Sequence, residues 1–309
     1  MYNILISGYY GFDNIGDESI LRTLVSSLRE HIPDCSLTVL SHNPTSTREK
    51  YGVEAVDRMS PMAILRAVKK CDMLISGGGS LLQDVTSSKS LHYYLSIIRC
   101  AEFFHKKVFI YSQGIGPIDR PGNRRAAAAA LKRADGIVVR DERSAALLEE
   151  IGIARDKVVI TADPVIRMKK PDGDVGAEIL RKAGVSLDGR LTVGWAIRER
   201  DTDSRFVKEL LRSIQMMKDK YNAQSVLIPF HYEEDGEVCR HIAAQLPDDT
   251  AVCLNEKYLS EDMLSIIGNM DLLVGVRLHS LIYAAIMGVP LIGISYDPKC
   301  TAFLNSVGL

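Results

Sequence analysis

Strand-like and helical patterns alternate along almost the whole of this 309-residue chain. Short apolar runs are followed by longer stretches with apolar residues at helical spacing, an order typical of parallel sheets with helices on both faces. The predicted strands are 3–7, 37–40, 73–76, 108–112, 136–139 and 158–160 in the first half, and 192–196, 225–229, 251–254, 272–276 and 291–294 in the second. The predicted helices include 17–30, 61–69, 91–105, 125–133, 206–217 and 281–287.

A change of composition near the middle divides this pattern into two halves. The stretch 167–175 is charged, contains Pro171 and Gly173, and has few apolar residues, as a linker does. Length also favours two domains, because single cores rarely grow beyond roughly 250–300 residues. We predict an α/β fold with two Rossmann-like domains facing across a cleft, the N-terminal one at 1–166 and the C-terminal one at 176–309. The sequence stops inside what looks like a further element, so we expect a missing C-terminal tail.

Composition and charge exclude several classes of protein. The formal net charge is −1, so no overall positive field favours nucleic acid. The six cysteines lie far apart, without metal-ligand spacing, which is typical of reduced thiols in a cytoplasmic protein. The sequence shows no signal-peptide pattern and no apolar run long enough to span a membrane. We therefore expect a cytoplasmic protein that does not bind nucleic acid, with peripheral contact at the inner membrane face left open.

The junction between the predicted strand 272–276 and the following helix carries an arginine and a histidine. Arg277 and His279 stand where a buried parallel strand ends and a helix begins. The N–H groups and dipole of a helix start favour anions, and open α/β sheets bind ligands outside the carboxyl ends of their strands. A cation beside a titratable imidazole suits a phosphorylated or carboxylated substrate whose reaction needs a proton. Alternatively, the histidine closes a turn and the arginine pairs with a neighbouring carboxylate.

Three predicted strands of the first half end in glycine-rich turns. Glycine lets the backbone approach a ligand or adopt positive φ, so three such turns at one sheet edge would build an open floor for a ligand. Taken singly, each turn is better explained as a tight connection with close helix packing, whereas the three together favour a binding surface. The candidate binding residues of these turns are Gly11, Asp13, Asn14, Asp17, Gly78, Gly79, Gln113 and Gly114.

Nucleotide-binding motifs do not explain these turns. Gly8, Gly11 and Gly16 do not match the G-x-G-x-x-G spacing, and the second strand ends in Ser41 and His42, with no acid to hold a ribose. The sequence also has no Walker A motif, which argues against P-loop nucleotide hydrolysis.

Three further positions carry charged residues at predicted strand ends or helix starts. The triplet at Asp201 and Asp203 could bind a metal, but it precedes a predicted helix, so we expect Asp203 to be its N-cap. His231, followed by three acids, could bind a hydroxylated ligand, act as a base, hold a metal or simply begin a helix. Arg140 ends a strand of the first half and could place a second cation opposite Arg277.

Seven motifs, taken together, resemble the polysaccharide pyruvyltransferase family, and within it the bacterial cell-wall enzymes of the CsaB type. In chain order they are GYYGFDNIGDE, GGGSLLQD, QGIGP, VVRDERS, TADP, RLHS and GVPLIGISYDPK. The resemblance extends from the first strand to the last residues. It implies a fold similar to the B-type glycosyltransferases, with two Rossmann-like domains and a central cleft. Such folds usually end with helices that return to the first domain, and this sequence lacks them.

The resemblance also implies a reaction. Such enzymes transfer pyruvate from phosphoenolpyruvate to a sugar as a ketal and release phosphate. The similar enzymes act on β-linked N-acetylmannosamine of a lipid-diphosphate-linked precursor of a secondary cell-wall polymer, giving a 4,6-ketal, and the finished polymer anchors S-layer proteins. The first domain would then be the acceptor side and the second the phosphoenolpyruvate side. No metal or tightly bound organic cofactor is implied.

The site residues divide between the two substrates. We expect Arg277 and His279 to be catalytic, with His279 as the general acid and Asp13, Asp17, Glu18 or His231 as alternatives for the base. The residues expected to bind phosphoenolpyruvate are Arg140, Arg277, Leu278, His279 and Ser280. The residues expected to bind the acceptor are Gly11, Asp13, Asn14, Asp17, Gly78, Gly79, Gln113, Gly114 and His231. The competing enzyme class is a B-type glycosyltransferase that uses a nucleotide sugar, and a non-enzymatic sugar-binding module is a further alternative.

Overall fold

The computed structural model describes residues 1–85, 87–199 and 201–309. The chain forms two compact units. The first unit contains Met1–Phe12 and Asp17–Arg167, and the second contains Asp13–Gly16 and Met168–Leu309. The four residues Asp13–Gly16 therefore group with the second unit, although their neighbours in sequence on both sides belong to the first.

A seven-stranded parallel sheet forms the centre of the first unit. Its strands are β1 (Tyr2–Tyr10), β2 (Cys35–Ser41), β3 (Glu54–Asp57), β4 (Met73–Ser76), β5 (Lys107–Gln113), β6 (Gly136–Val139) and β7 (Val158–Ile160). They lie in the order β3-β2-β1-β4-β5-β6-β7, so the order along the sheet reverses between β1 and β4. The helices are α1 (Ile15–His31), α2 (Pro44–Tyr51), α3 (Pro61–Lys70), α4 (Ser88–Phe103), α5 (Pro121–Leu131) and α6 (Glu142–Glu150).

The residues of β1 show why this sheet is buried on both faces. Successive strand side chains point to opposite faces of a sheet. Leu5 lies in one hydrophobic cluster, whereas its neighbours Ile4 and Ile6 lie in another, and all three are at most 1% exposed. A continuous apolar run, rather than an alternating one, is what a parallel strand covered by helices on both faces requires.

The second unit has a five-stranded parallel sheet. Its strands are β8 (Thr192–Ala196), β9 (Gln224–Leu227), β10 (Ala251–Cys253), β11 (Leu272–Gly275) and β12 (Leu291–Gly293), in the order β10-β9-β8-β11-β12. Its helices are α7 (Val175–Lys182), α8 (Arg205–Tyr221), α9 (Tyr232–Gln245), α10 (Ser260–Gly268), α11 (Leu278–Met287) and α12 (Pro298–Ser306). The order reverses between β8 and β11, and at such a point the connections leave a crevice at the carboxyl ends of the strands.

The predicted architecture of two Rossmann-like units with parallel sheets is confirmed. Two local predictions are wrong. The short strand β3, Glu54–Asp57, was not predicted, because charged residues at both its ends hide an edge strand that pairs with β2 alone. Asp203 is not the N-cap of α8: Ser204 caps it by accepting from Val207 N, while Asp203 N donates to Asp201 Oδ1 at 2.9 Å.

No helix among the described residues is both long enough and apolar enough to cross a membrane.

Candidate active site

The strand–helix junction of the second unit brings Arg277 and His279 onto one turn. Strand β11 ends at Gly275, and Arg277 occupies the N-cap position of α11 without a side-chain cap hydrogen bond. The hydroxyl of Ser280 donates to the carbonyl of Arg277 at 2.6 Å and so braces the turn. The first turn of α11 is thus built without the side-chain cap that Ser, Thr, Asp or Asn would supply.

Arg277 forms a bidentate ion pair with a buried carboxylate of α9. Its Nε donates to Asp235 Oδ2 at 3.1 Å, and its Nη2 donates to Asp235 Oδ1. Asp235 is 1% exposed and also accepts from His231 N at 2.9 Å, while Glu234 lies 3.7 Å from the same guanidinium. The cation predicted from the sequence is therefore charge-compensated. Among the described residues its Nη1 makes no hydrogen bond, so the group keeps donors for a ligand.

His279 lies directly against the backbone of Gly16. A Cβ added at Gly16 would lie 2.0 Å from Nδ1 of His279, far inside van der Waals contact. Gly16 is the second residue of α1 and groups with the second unit. Only glycine at position 16 lets the imidazole occupy this place.

His231 is the N-cap residue of α9, and its ring caps the helix, which is one of the alternatives predicted from the sequence. Its Nδ1 accepts from Glu234 N at 3.2 Å. Because that nitrogen is an acceptor, we assign the proton of the neutral ring to Nε2, which can then donate but not accept. The geometry favours His231 as a helix cap over His231 as a general base.

The segment Asp13–Gly16 makes backbone and side-chain contacts within the second unit. Ile15 N donates to Phe230 O at 3.0 Å, and Asn14 and His231 form an isolated antiparallel bridge. Asp13 pairs with Lys257 at 2.8 Å. Asp13 and Asn14, predicted to bind the acceptor, thus lie beside His231, which was predicted from a different part of the sequence.

A second arginine of this unit, Arg198, was missed in the sequence. It follows β8, donates from Nη1 to the hydroxyl of Tyr296, and has its guanidinium 5.5 Å from the centre of that ring. Burial lowers the pKa of Arg198, but the Tyr296 hydroxyl and the nearby Glu234 and Asp235 outweigh it and raise that pKa. An arginine directly after a buried strand was the signal used for Arg140, and the same signal would have found Arg198.

In the first unit, Arg140 is also compensated by a carboxylate. Its Nη1 donates to Asp163 Oδ2 at 2.9 Å and its Nη2 donates to Ser80 Oγ at 3.0 Å, with Asp141 at 3.8 Å. The side chain of Arg140 is 5% exposed, and its buried Nε has no hydrogen-bond partner among the described residues. The predicted second cation is held in an ion pair rather than presented alone.

Side chains of the protein itself fill the space beside the glycine turns. A Cβ at Gly114 would lie 2.6 Å from the Arg140 guanidinium, one at Gly78 would lie 2.8 Å from Ile20, and one at Gly79 would lie 3.0 Å from Asp17. The Gly11 turn, at φ +80°, packs against Ser41 Oγ. At these positions the glycines let side chains approach the backbone, and the floor for a ligand stays a prediction.

Two further predicted residues, Gln113 and Glu18, are buried in the first unit. The Gln113 amide nitrogen donates to the Ser76 carbonyl and hydroxyl at 3.1 and 2.8 Å, while its Oε1 has no partner among the described residues. Glu18 accepts from Gly11 N at 2.8 Å and from the hydroxyl of Tyr51. These contacts make Glu18 a support of the glycine turn rather than an exposed base.

Asp84, the last residue of the GGGSLLQD motif, organises the start of α5. It is 6% exposed and accepts from Asp119 N, Arg120 N and Asn123 Nδ2 at 2.9, 3.1 and 2.8 Å. Burial alone would raise the pKa of Asp84, but these hydrogen bonds outweigh it and lower that pKa. The carboxylate is therefore held in its charged form as a structural anchor.

No group of three or more His, Cys, Asp or Glu residues that could hold a metal ion occurs within residues 1–85, 87–199 and 201–309. This description covers Asp201, Asp203 and His231.

A model of the polysaccharide pyruvyl transferase family matches residues 14–298. The chain belongs to the polysaccharide pyruvyl transferase family. It is a transferase, and it is similar to the amylovoran biosynthesis protein AmsJ of Erwinia amylovora, with 22% identity over 363 residues, 99% of this chain and 86% of that protein.

Solved structures with a similar fold are glycosyltransferases and epimerases of the B type. A UDP-GlcNAc 2-epimerase from Methanocaldococcus jannaschii has a TM-score of 0.70 at 13% identity, covering 99% of this chain and 87% of that one. Anabaena HepE, solved in complex with UDP-glucose, has a TM-score of 0.63 at 11% identity, covering 95% and 80%. At these identities the pyruvyl transferase shares their fold, and nothing further follows.

Proposed function

We propose that this pyruvyl transferase takes pyruvate from phosphoenolpyruvate, joins it to a sugar as a cyclic ketal and releases phosphate. Family membership supports pyruvyl transfer to a polysaccharide. One observation supports phosphoenolpyruvate as the donor. Arg277, held by Asp235, lies two residues before His279 on the same turn of the second unit.

Phosphoenolpyruvate has a phosphate and a carboxylate, so its site needs several donors and cations. Arg277 keeps Nη1 for an anionic oxygen, and the start of α11, from Leu278 to Ser280, supplies a helix N-terminus. Arg198 adds a cation at the end of a neighbouring strand of the same sheet. Arg140 is proposed as a further ligand, but its ion pair with Asp163 makes it the weaker cation.

The chemistry begins at C3 of the donor. The enol phosphate of the donor is inert until C3 is protonated, and we propose that the His279 imidazolium gives this proton, which generates oxocarbenium character at C2. A sugar hydroxyl attacks C2, and a second hydroxyl displaces phosphate and closes the ketal. One hydroxyl proton balances the proton delivered to C3, and the other leaves with phosphate. Holding the donor and the acceptor in reacting geometry would supply much of the acceleration.

The acceptor is proposed to bind at the carboxyl edge of the first unit's sheet. The contacts of Glu18 and His231 weaken both as bases, and Asp13 is paired with Lys257. Asp17 lies beside the Gly79 turn at the acceptor-side edge of the sheet, and this position supports it as our proposed base.

The acceptor proposed is β-linked N-acetylmannosamine of a lipid-diphosphate-linked precursor of a secondary cell-wall polymer, as in enzymes of the CsaB type. Pyruvylation of such a polymer would serve S-layer anchoring. A lipid-linked acceptor would place the enzyme, by peripheral contact, at the inner membrane face.

The test is direct. The protein is incubated with phosphoenolpyruvate and a synthetic lipid-diphosphate acceptor that carries N-acetylmannosamine, and the mass of the acceptor and the released phosphate are measured. A pyruvate-ketal mass gain with equimolar phosphate supports the proposal.

Two other results would change the assignment. Phosphate released without an acceptor mass gain would point to hydrolysis or to a different acceptor. If neither appears and uridine diphosphate, but not phosphoenolpyruvate, raises the melting temperature, the enzyme uses a nucleotide sugar instead.

A further inference from the structure

Three aromatic rings stack in parallel at the carboxyl edge of the first sheet. Tyr9 stands near the end of β1, Phe12 follows that strand, and His42 follows β2. The Tyr9 and Phe12 ring centroids are 4.1 Å apart, and those of Phe12 and His42 are 4.3 Å apart, each pair tilted by 5°. These three rings form a continuous flat stack, here termed the aromatic ladder.

A buried arginine supports the ladder from the adjacent strand end. Arg58 follows β3 and is 7% exposed. Its guanidinium carbon lies 5.8 Å from the Tyr9 ring centroid, 5.1 Å from that of Phe12, and 4.7 and 5.5 Å from those of Tyr93 and Tyr94. The attraction of a cation to a ring face increases when both are removed from water.

Arg58 makes no ion pair with a carboxylate in the part of the chain that the structure describes. Its Nη1 donates to Gly8 O at 2.9 Å and its Nη2 donates to the hydroxyl of Tyr94 at 3.2 Å, while the buried Nε has no partner there. Arginine is rarely buried without a paired charge. The aromatic rings take the place of that charge, so the cation and the ladder depend on each other.

Backbone contacts fix the ladder before any ligand binds. His42 N donates to Tyr10 O at 2.9 Å, which ties the end of β2 to the end of β1. Between Tyr9 and Phe12, Gly11 has φ +80° and its N–H is held by Glu18. A rigid, pre-formed surface loses little conformational entropy when it binds a ligand.

The terminal ring of the ladder is open to ligand. His42 is exposed, whereas Tyr9 and Phe12 are half-buried. Among the described residues, only the Phe12 ring stacks on His42, and the ring nitrogens of His42 make no hydrogen bond. His42 therefore offers both a flat ring face and polar atoms at its rim, the combination that a sugar's C–H face and hydroxyl groups can use.

We propose that the aromatic ladder is a saccharide subsite, in which a pyranose ring of the acceptor stacks on the ring of His42. This inference rests on the proposed function, since it names where the acceptor is held. The ladder lies at the carboxyl ends of β1 and β2, beside the β1–β4 reversal at which open α/β sheets bind ligands. Arg58 is the positioning residue, because it contacts two rings of the ladder and reaches the end of β1.

The first experiment compares the acceptor dependence of two histidine variants. His42→Ala is expected to raise the KM for the acceptor about tenfold, a typical effect of losing one stacking partner, while the KM for phosphoenolpyruvate stays unchanged. His42→Trp, which restores a larger ring face, is expected to return the acceptor KM towards wild type. His31→Ala is the matched control, because His31 is exposed at the far end of α1.

Arg58→Lys tests the positioning role, since it keeps the charge but loses the planar guanidinium. We expect it to raise the acceptor KM as His42→Ala does, with the KM for phosphoenolpyruvate unchanged. An equal rise in the KM for the acceptor and the KM for phosphoenolpyruvate would show that Arg58 only supports the fold. That result would overturn the positioning role.

A binding measurement separates failure of this inference from failure of the proposed function. Saturation-transfer NMR with a disaccharide of N-acetylmannosamine and N-acetylglucosamine, without phosphoenolpyruvate, should show transfer to the sugar's C–H face in wild type and His31→Ala, but not in His42→Ala. Such binding without turnover would remove the proposed reaction and keep the subsite. Equal transfer in His42→Ala overturns the subsite. The subsite is also overturned if His42→Ala still binds the sugar but no longer binds uridine diphosphate. In that case the ladder would hold a nucleobase.

Discussion

Replacing Gly16 with alanine should lower kcat by about 100-fold without weakening the fold. The new Cβ would lie 2.0 Å from Nδ1 of His279, and ordinary contact begins at 3.4 Å, so the ring must move by about 1.4 Å. Misplacing a catalytic group by about 1 Å can cost on the order of 100-fold in rate, so we expect kcat to fall by about that factor. Gly16 lies in helix α1 and has no positive φ, and alanine in a helix is more stable than glycine by up to about 1 kcal/mol.

The control for this variant is Gly122→Ala. Gly122 is likewise the second residue of a helix, α5, and a Cβ there would meet nothing within 4 Å. Ketal formation and phosphate release under saturating substrates give kcat, and urea unfolding gives stability. Wild-type kcat in folded Gly16→Ala would refute the placement of His279 or its role as the acid. The double variant with His279→Ala should be no slower than His279→Ala alone, because both changes remove the same group.

The remaining predictions concern the same two units. His279→Ala should abolish turnover with an unchanged circular dichroism spectrum, and turnover at the wild-type rate would remove His279 from the mechanism. Arg277→Ala should weaken phosphoenolpyruvate binding measured by calorimetry and, by leaving buried Asp235 unpaired, should lower the free energy of unfolding by about 3–5 kcal/mol; unchanged binding would argue against the clamp. Asp84→Asn should cost about 1–3 kcal/mol at neutral pH, since an amide cannot accept from all three donors. The pKa of Asp84 in the folded protein lies below its ordinary value of 3.8. The contribution of Asp84 to the free energy of unfolding is therefore complete above pH 3.8 and is lost as the pH falls through the folded pKa. In acid, the urea midpoints of wild type and Asp84→Asn should converge. Activity should survive EDTA, and a loss restored by added metal would contradict the metal-free mechanism.

The sequence predicted most of the fold because buried parallel strands leave continuous apolar runs. Thr192–Ala196 is such a run and has the predicted bounds, whereas the predicted strand 272–276 extends one residue past the observed Leu272–Gly275. Strand β3 was missed because it is an edge strand with few apolar residues, and it pairs only with the neighbouring strand β2 among the described strands. The N-cap of α8 was placed one residue early because Asp203 and Ser204 are both good caps, and only the backbone decides between them.

The candidate site was predicted less completely, because charge compensation depends on distant residues. The sequence indicated Arg277 by its place at a strand end, but its partner Asp235 lies 42 residues away on another helix. Arg140 and Asp163 are likewise joined only by folding. The glycines were noticed for the right reason, their need for space, but a sequence does not say whether a ligand or a side chain fills that space.

The grouping of Asp13–Gly16 with the second unit bears on the order in which the protein is made. The ribosome synthesises these four residues long before their contacts Lys257 and His279. The Asp13–Lys257 pair joins positions 244 residues apart, and such distant contacts form after local ones because a long loop must first close. A nascent chain arrested before Lys257 therefore lacks the residues that receive Asp13–Gly16, and the second unit is completed only after Lys257 and His279 have emerged from the ribosome.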